Sequence, residues 1–76
     1  MSEYAAVKSN ALIRSLKRLA TKRGWTFSER AGKGSHLIVR LNGKMTVIPM
    51  HGTDLKPGLF RGILKQLGIT EQDLED

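Results

Sequence analysis

The Asn42-Gly43 pair constrains the fold of this chain more than any other feature, because it separates two runs of strand-forming residues. Asn-Gly is the preferred pair for a two-residue type I′ turn, whose backbone twist matches that of the flanking strands. A turn of two residues also fixes which residues face one another across the hairpin. The sequence therefore predicts an antiparallel hairpin in which Ser35–Leu41 pairs with Lys44–Pro49.

A third strand-like run precedes this hairpin. Trp25–Arg30 alternates apolar and polar residues, which places its two aromatic side chains on the face that packs against a core. Ala31–Gly34 is then a loop, in which we expect both Gly32 and Gly34 to supply conformational freedom.

Two amphipathic helices flank the predicted strands. Asn10–Arg23 carries apolar residues at helical spacing, with Ser9 as its expected N-cap and Gly24 in the left-handed position after its last turn. The second helix is expected to begin at Pro57, because proline suits the first helical position, and to end at Gly68.

These elements follow the order α-β-β-β-α and predict a single α+β domain over residues 1–76. A three-stranded antiparallel sheet carries both helices on one face. Residues 1–8 are expected to form a loose lead-in. Residues 70–76 form an acidic C-terminal tail with one frayed helical turn.

Alternation along the hairpin assigns the side chains to two faces of the sheet. If the helices cover Leu37, Val39 and Ile48, the open face carries polar and basic residues around an apolar patch. The reverse assignment would leave more apolar side chains in water, so we reject it. An apolar patch of this kind often marks a protein interface. The predicted open-face residues are Thr26, Ser28, Arg30, His36, Ile38, Arg40, Met45 and Val47.

The charged side chains are unevenly distributed. The first 70 residues hold all thirteen Lys and Arg but only three of the seven acids. A positive field of this kind attracts polyanions, and nucleic acid is the usual one in a cell, although solubility alone also explains surface lysine. Arg14, Arg18 and Lys22 follow one another at i, i+4, i+8 spacing, which fits either an anionic partner or a solvated face.

The composition excludes several classes of protein. The chain has no cysteine, which rules out disulfides and thiolate metal sites and fits a reducing cytoplasm. No apolar run approaches the roughly 20 residues that span a bilayer, and the first residues lack the features of a signal peptide. We therefore expect a soluble cytoplasmic domain without membrane contact.

His36 is the leading candidate for chemistry, because it follows the flexible Gly32–Ser35 loop and alternation points it outward beside basic residues. The loop lacks the phosphate-loop pattern and precedes a strand, so it is not a nucleotide-binding motif. A metal site from His36, His51 and Asp54 is disfavoured because these residues are dispersed without a recognised spacing. A Ser/His/Asp triad is disfavoured for lack of a nucleophile elbow, and a purely structural histidine is the simplest alternative.

A series of short motifs supplies a second kind of signal. In chain order they are Gly34-Ser35-His36, Asn42-Gly43, Val47-Ile48-Pro49-Met50-His51, Leu55-Lys56-Pro57-Gly58 and Arg61-Gly62-Ile63-Leu64-Lys65-Gln66-Leu67-Gly68-Ile69. Over about Lys8 to Leu74 the chain resembles the HicA family, the toxin half of bacterial and archaeal toxin–antitoxin pairs. That family usually continues Pro-Gly-Thr-Leu at the helix start. This chain has Leu59 in place of the threonine and lacks its hydroxyl.

The resemblance implies a fold similar to the double-stranded-RNA-binding domain. It also implies cleavage of mRNA without a metal ion or cofactor, with His36 as the catalytic general acid and base. A HicB-type antitoxin that covers this site is the implied protein partner. For this reaction we expect Lys33, Ser35, Arg40 and His51 to bind the RNA substrate.

Two alternatives come from other classes of function. A non-catalytic RNA-binding module would use the same sheet and basic helix stripes, and would bind RNA without cutting it. A structural subunit would use its basic surface to meet an acidic protein chain and would have no affinity for RNA.

Overall fold

A computed structural model of the chain describes residues 7–50 and 54–75. Within these ranges lie a three-stranded sheet, a separate pair of two-residue strands, and three helices. In chain order the elements are β1 (Val7–Lys8), α1 (Ser9–Arg23), β2 (Phe27–Ala31), β3 (His36–Leu41), β4 (Lys44–Pro49), β5 (Asp54–Leu55), α2 (Pro57–Leu67) and α3 (Glu71–Glu75). The α+β prediction is confirmed, with two short strands added and a short helix where a frayed turn is predicted. None of the described helices is long and apolar enough to cross a membrane.

β3 and β4 form the predicted hairpin. Asn42 and Gly43 have positive φ angles of 53° and 83°, as a type I′ turn requires. The pairing continues without a bulge from the turn to His36, which faces Pro49, so the predicted register is confirmed. β2 lies antiparallel on the other side of β3 and begins at Phe27, two residues later than predicted.

Helices α1 and α2 pack on the same face of this sheet, and the apolar core lies between the two layers. Val39, Leu41 and Ile48 of the sheet are fully buried beneath the helices. Full burial of an aliphatic side chain of this size contributes about 1.5–3 kcal/mol. The helices contribute Leu12, Ile13, Leu16, Leu19, Ala20, Phe60, Ile63, Leu64 and Leu67 to the core.

Both predicted helix ends are confirmed. Gly24 and Gly68 lie in the left-handed region, with φ angles of 70° and 71°. The residue after each glycine donates its N–H to the carbonyl five residues back, at 2.9 Å for Trp25 and 3.0 Å for Ile69. α2 begins at Pro57, as proline's preference for this position predicts.

The first described residues do not form the expected loose lead-in over residues 1–8. Val7 and Lys8 form β1 and pair with Leu55 and Asp54 of β5, while the residues before Val7 lie outside the described part of the chain. Lys8 Nζ also lies 2.9 Å from a carboxylate oxygen of Asp54. A strand of two residues is too short to show a periodic pattern, which is why the sequence does not predict it.

Ser9 is not the N-cap of α1. The helix begins at Ser9 itself, and Lys8 occupies the N-cap position without a side-chain capping bond. The buried Ser9 hydroxyl instead donates a 2.5 Å hydrogen bond to the carbonyl oxygen of Pro49 at the end of β4. The predicted capping role is wrong because a distant acceptor takes this hydroxyl.

The acidic tail over residues 70–76 contains a capped helix, α3, where the sequence predicts a frayed turn. The Thr70 N–H donates to Asp73 Oδ2 at 2.9 Å, and the Asp73 N–H donates to Thr70 Oγ1 at 3.3 Å. This is the reciprocal pattern of a capping box. Arg23 Nη2 donates to Asp73 Oδ1 at 3.0 Å and so ties α3 to the end of α1. These bonds, from Thr70 first and then Arg23, hold the pKa of Asp73 below its ordinary value of 3.8.

Candidate active site

His36 is the first residue of β3, and its side chain is exposed on the open face of the sheet. The two large helices pack on the other face, over Val39 and Ile48. The outward orientation that alternation predicts for His36 is therefore confirmed. The catalytic role of this residue stays a prediction.

The loop between β2 and β3 holds the imidazole ring through its own backbone. The Lys33 carbonyl oxygen accepts a 3.2 Å hydrogen bond from the His36 N–H and lies 3.1 Å from His36 Nδ1. A carbonyl oxygen can only accept, so Nδ1 carries the hydrogen in this contact. In the neutral ring the basic lone pair is then on Nε2. Nothing in the sequence pattern predicts this contact, because the acceptor is a backbone atom.

Two glycines shape this loop for different reasons. Gly34 has a φ of +60°, a conformation that favours glycine. At Gly32 the requirement is space, since an added Cβ would lie 3.2 Å from Ile38 Cγ1 and 3.3 Å from the His36 carbonyl oxygen. The Gly32 N–H donates a 2.8 Å hydrogen bond to the same oxygen. The expectation that both glycines supply conformational freedom is right for Gly34 and wrong for Gly32.

Three of the four predicted substrate-binding residues lie in the described part of the chain, at different distances from the ring. Lys33 and Ser35 are exposed and lie three residues and one residue before His36 in the loop. Arg40 is exposed on the same face of β3, but four residues along a strand correspond to about 13 Å. The structure thus groups Lys33 and Ser35 with His36, and leaves Arg40 to contact a more distant part of any substrate. His51 lies outside the described residues.

The open face also carries the predicted apolar patch. Arg30 of β2 faces Ile38 of β3 across the sheet. Met45 and Val47 of β4 are 46% and 43% exposed. Because directly opposed residues share a face, these apolar side chains lie on the same surface as His36.

The disfavoured metal site of His36, His51 and Asp54 is described only in part, because His51 lies outside the described residues. Asp54, the acid of the disfavoured metal site, is paired with Lys8 at 2.9 Å. Over residues 7–50 and 54–75, no group of three histidine, aspartate or glutamate side chains is placed to hold a metal ion.

Arg14, Arg18 and Lys22 form an exposed basic stripe along α1. None of the three makes an ion pair with another described residue, whereas Lys17 beside them pairs with an acid at 3.0 Å. The stripe lies in the helical layer, on the opposite side of the sheet from His36. It can therefore contact a polyanion, but not on the face of the sheet that carries His36.

Most of the chain, including His36 and its loop, matches a known family. Residues 13–69 match the family model described as "HicA toxin of bacterial toxin-antitoxin". A protein of Pseudomonas fluorescens (strain Pf0-1) named "Probable mRNA interferase HicA" is 51% identical over 43 residues, which make up 55% of this chain and 72% of that protein.

Proposed function

The chain belongs to the HicA toxin family, and from this premise we propose that it is the toxin of a toxin–antitoxin pair and an endoribonuclease that cleaves mRNA. In this proposal His36 is the general acid and base, and the reaction needs no metal ion. The supporting observation is the exposed imidazole on the open face, with Nδ1 held against the Lys33 carbonyl oxygen and Nε2 as the basic nitrogen.

The reaction uses a nucleophile that RNA already carries. Nε2 of neutral His36 takes the proton of a ribose 2′-hydroxyl while the 2′-oxygen bonds to the adjacent phosphorus. The bond from phosphorus to the 5′-oxygen of the next nucleotide breaks, and the imidazolium gives the proton to that oxygen. The products are a 2′,3′-cyclic phosphate and a 5′-hydroxyl. A positioned general acid–base group contributes roughly 10²–10⁴-fold to the rate.

The neighbouring side chains supply charge and hydrogen bonds for this reaction. Lys33, exposed and three residues before His36, stabilises the negative charge that develops on the phosphoryl oxygens. The Ser35 hydroxyl is a hydrogen-bond donor beside it. Arg40 binds a phosphate further along the strand, and His51 completes the set of substrate-binding residues.

The test compares wild-type protein with His36→Ala on a labelled mRNA in the presence of EDTA. We expect wild type to cut the RNA and leave 2′,3′-cyclic phosphate ends, and His36→Ala to be slower by roughly 10²–10⁴-fold. Ser28→Ala, another exposed open-face position, is the matched control and should cut like wild type. Equal cleavage by wild type and His36→Ala would contradict the role of His36.

We also propose a HicB-type antitoxin as the protein partner, acting in the cytoplasm and covering His36. The exposed apolar side chains of Met45 and Val47 on the same face support a protein contact there. The order α-β-β-β-α, with both large helices on one face, supports kinship with the double-stranded-RNA-binding domain. We expect induced expression of this chain to stop growth, and either co-expressed antitoxin or His36→Ala to relieve the arrest.

A second candidate is a non-catalytic RNA-binding module, which the basic stripe of Arg14, Arg18 and Lys22 favours. Such a module would bind RNA with an affinity that falls steeply with salt, because binding releases counterions from the phosphates. RNA that is bound in this salt-dependent way but never cut would favour this candidate over the nuclease.

A further inference from the structure

The outer edge of β4 carries backbone groups that point away from the sheet. β4 is an edge strand, in the order β2-β3-β4. Beside a two-residue turn the first pair is hydrogen-bonded, and the pairs alternate from there. Met45 and Val47 therefore occupy non-hydrogen-bonded positions, and their N–H and C=O groups face outward. Pro49, two residues after Val47, is oriented in the same way, and its outward carbonyl oxygen accepts a hydrogen bond from the Ser9 hydroxyl.

No described backbone group bonds to these outward groups of Met45 and Val47. An edge of this kind is a template for another extended strand. It is a poor surface for RNA, because the two outward carbonyl oxygens would face phosphate oxygens. The hydrogen-bonding pattern therefore selects an extended polypeptide as the occupant.

An apolar groove of about 340 Å³ lies between this edge and α2. Thr46 is buried in the groove wall, and its hydroxyl donates a 2.5 Å hydrogen bond to Gln66 Oε1. Leu59 of α2 lines the groove and is 43% exposed. Gly58 and Gly62 also line the groove and carry no side chain, and a Cβ added at either would meet no atom within 4 Å. Apolar side chains of an added strand have room to enter this space.

Three lysines lie on or beside the elements that flank the groove. The Lys44 side chain lies across the C-terminal end of α2, with its Cε 3.0 Å from the position of a Cβ on Gly68. Lys56 directly precedes α2, and helical spacing places Lys65 next to Gly62 on the outer rim. None of these lysines makes an ion pair with a described residue. This charge favours an acidic segment, and the net charge of +6 disfavours a second copy of the chain.

We propose that the β4 edge and its groove bind an extended, acidic segment of the antitoxin, which adds a fourth strand to the sheet. The backbone of that segment pairs with Met45 and Val47, its alternate apolar side chains enter the groove, and its acids meet the lysines on the rim. At the usual spacing of strands the added strand lies about 10 Å from β3. The added strand would thus anchor the partner beside His36. That this strand comes from the antitoxin rests on the proposed function.

The test follows the backbone amides of ¹⁵N-labelled His36→Ala protein, a variant that we expect to be expressed without arresting growth. The probe is a capped seven-residue peptide that alternates Glu and Val, and the control peptide alternates Lys and Val. We expect the acidic peptide to shift the Met45 and Val47 amide signals and slow their hydrogen exchange. The lysine peptide should leave both unchanged.

Two substitutions then test the groove itself. Gly62→Leu puts a side chain into the groove at a position where a Cβ meets no atom within 4 Å, and should weaken binding of the acidic peptide by at least about tenfold. The matched control Thr21→Leu, at an exposed position of α1, should bind like the parent. If Gly62→Leu lowers the unfolding temperature, Leu59→Glu serves in its place, because it puts an acid in the groove at an exposed position. The same substitutions should weaken a complex with the co-expressed antitoxin.

Several results would overturn the proposal. One is that Gly62→Leu and Leu59→Glu both bind the peptide or the antitoxin as tightly as the parent does. Another is that the acidic peptide protects amides outside β4 from hydrogen exchange. If protection of the Met45 and Val47 amides from hydrogen exchange increases with protein concentration in the absence of peptide, the edge binds a second copy of the chain. The same effect from an RNA oligonucleotide would assign it to RNA. The cleavage assay with wild type is independent of these readouts, so a failed nuclease proposal and a failed edge proposal are distinguishable.

Discussion

The same chemical change, glycine to alanine, should have opposite effects on stability at Gly43 and Gly62. At neither position would the added Cβ meet an atom within 4 Å, so packing does not distinguish the two. The difference is in the backbone. Gly43 has a φ of +83° in the type I′ turn, whereas Gly62 lies inside α2 with no positive φ.

The expected magnitudes follow from these backbone conformations. An L-residue in the left-handed region costs about 1–2 kcal/mol, so Gly43→Ala should destabilise the protein by that amount. Alanine in a helix interior is better than glycine by roughly 0.5–1 kcal/mol, so Gly62→Ala should stabilise it. For a domain of this length about 1 kcal/mol shifts the unfolding temperature by about 4–8 °C. We expect a fall of about 4–16 °C for Gly43→Ala and a rise of about 2–8 °C for Gly62→Ala.

Thermal unfolding followed by circular dichroism measures both shifts, with His36→Ala as the parent protein, because we expect this variant not to arrest growth. Coincident transitions by circular dichroism and Trp25 fluorescence would justify a two-state treatment. Shifts of the same sign in the two variants would refute the reasoning, because they would show that backbone conformation does not decide the effect. Equal and negligible shifts would refute it as well.

Two further predictions concern α3 and the core. The hydrogen bonds that lower the pKa of Asp73 stabilise the folded protein at any pH above the unfolded-state pKa near 3.8. This stabilisation is lost as the pH falls through the lower folded-state pKa. The unfolding temperature of wild type should therefore exceed that of Asp73→Asn at neutral pH and converge with it in acid; a gap that widens in acid would contradict this. Leu16→Ala should lower the free energy of unfolding by about 2–5 kcal/mol, because Leu16 is fully buried. Leu59→Ala, at a position 43% exposed, should cost less than about 1 kcal/mol in the same denaturant titration. Similar losses in both leucine variants would contradict the burial of the first.

The parts of the fold that the sequence predicts well are those decided by neighbouring residues. Asn42-Gly43 sets a turn, and the turn sets the register of β3 and β4 without reference to the rest of the chain. Gly24 and Gly68 end their helices through bonds to the preceding turn. Each of these features involves residues only a few positions apart, so a short window of sequence contains all the information.

The parts that the sequence does not predict depend on distant partners. Ser9 has the residue type of an N-cap, but its hydroxyl bonds to Pro49, forty residues away. Val7 and Lys8 become a strand only because β5 lies beside them. No local pattern indicates either partner, since the packing of the whole domain brings them together.

The candidate site shows the same division. Alternation along β3 predicts that His36 points to the open face, because a strand has a period of two. The tautomer of the ring and the space needed at Gly32 both depend on how the loop closes on itself. A sequence shows which residue type is present and which way a strand turns it, but not which backbone atom meets its ring.

The β1–β5 ladder has a consequence for how the protein folds. Its Lys8–Asp54 ion pair joins residues 46 positions apart, whereas the β3–β4 hairpin closes through two residues. Closing the longer loop costs more chain entropy, so we expect the hairpin to form early and the ladder to form after the rate-limiting barrier. A substitution that weakens the β1–β5 pairing would then leave the folding rate nearly unchanged and raise the unfolding rate. The two short strands would thus determine how long the protein stays folded, whereas the hairpin would determine how fast it folds.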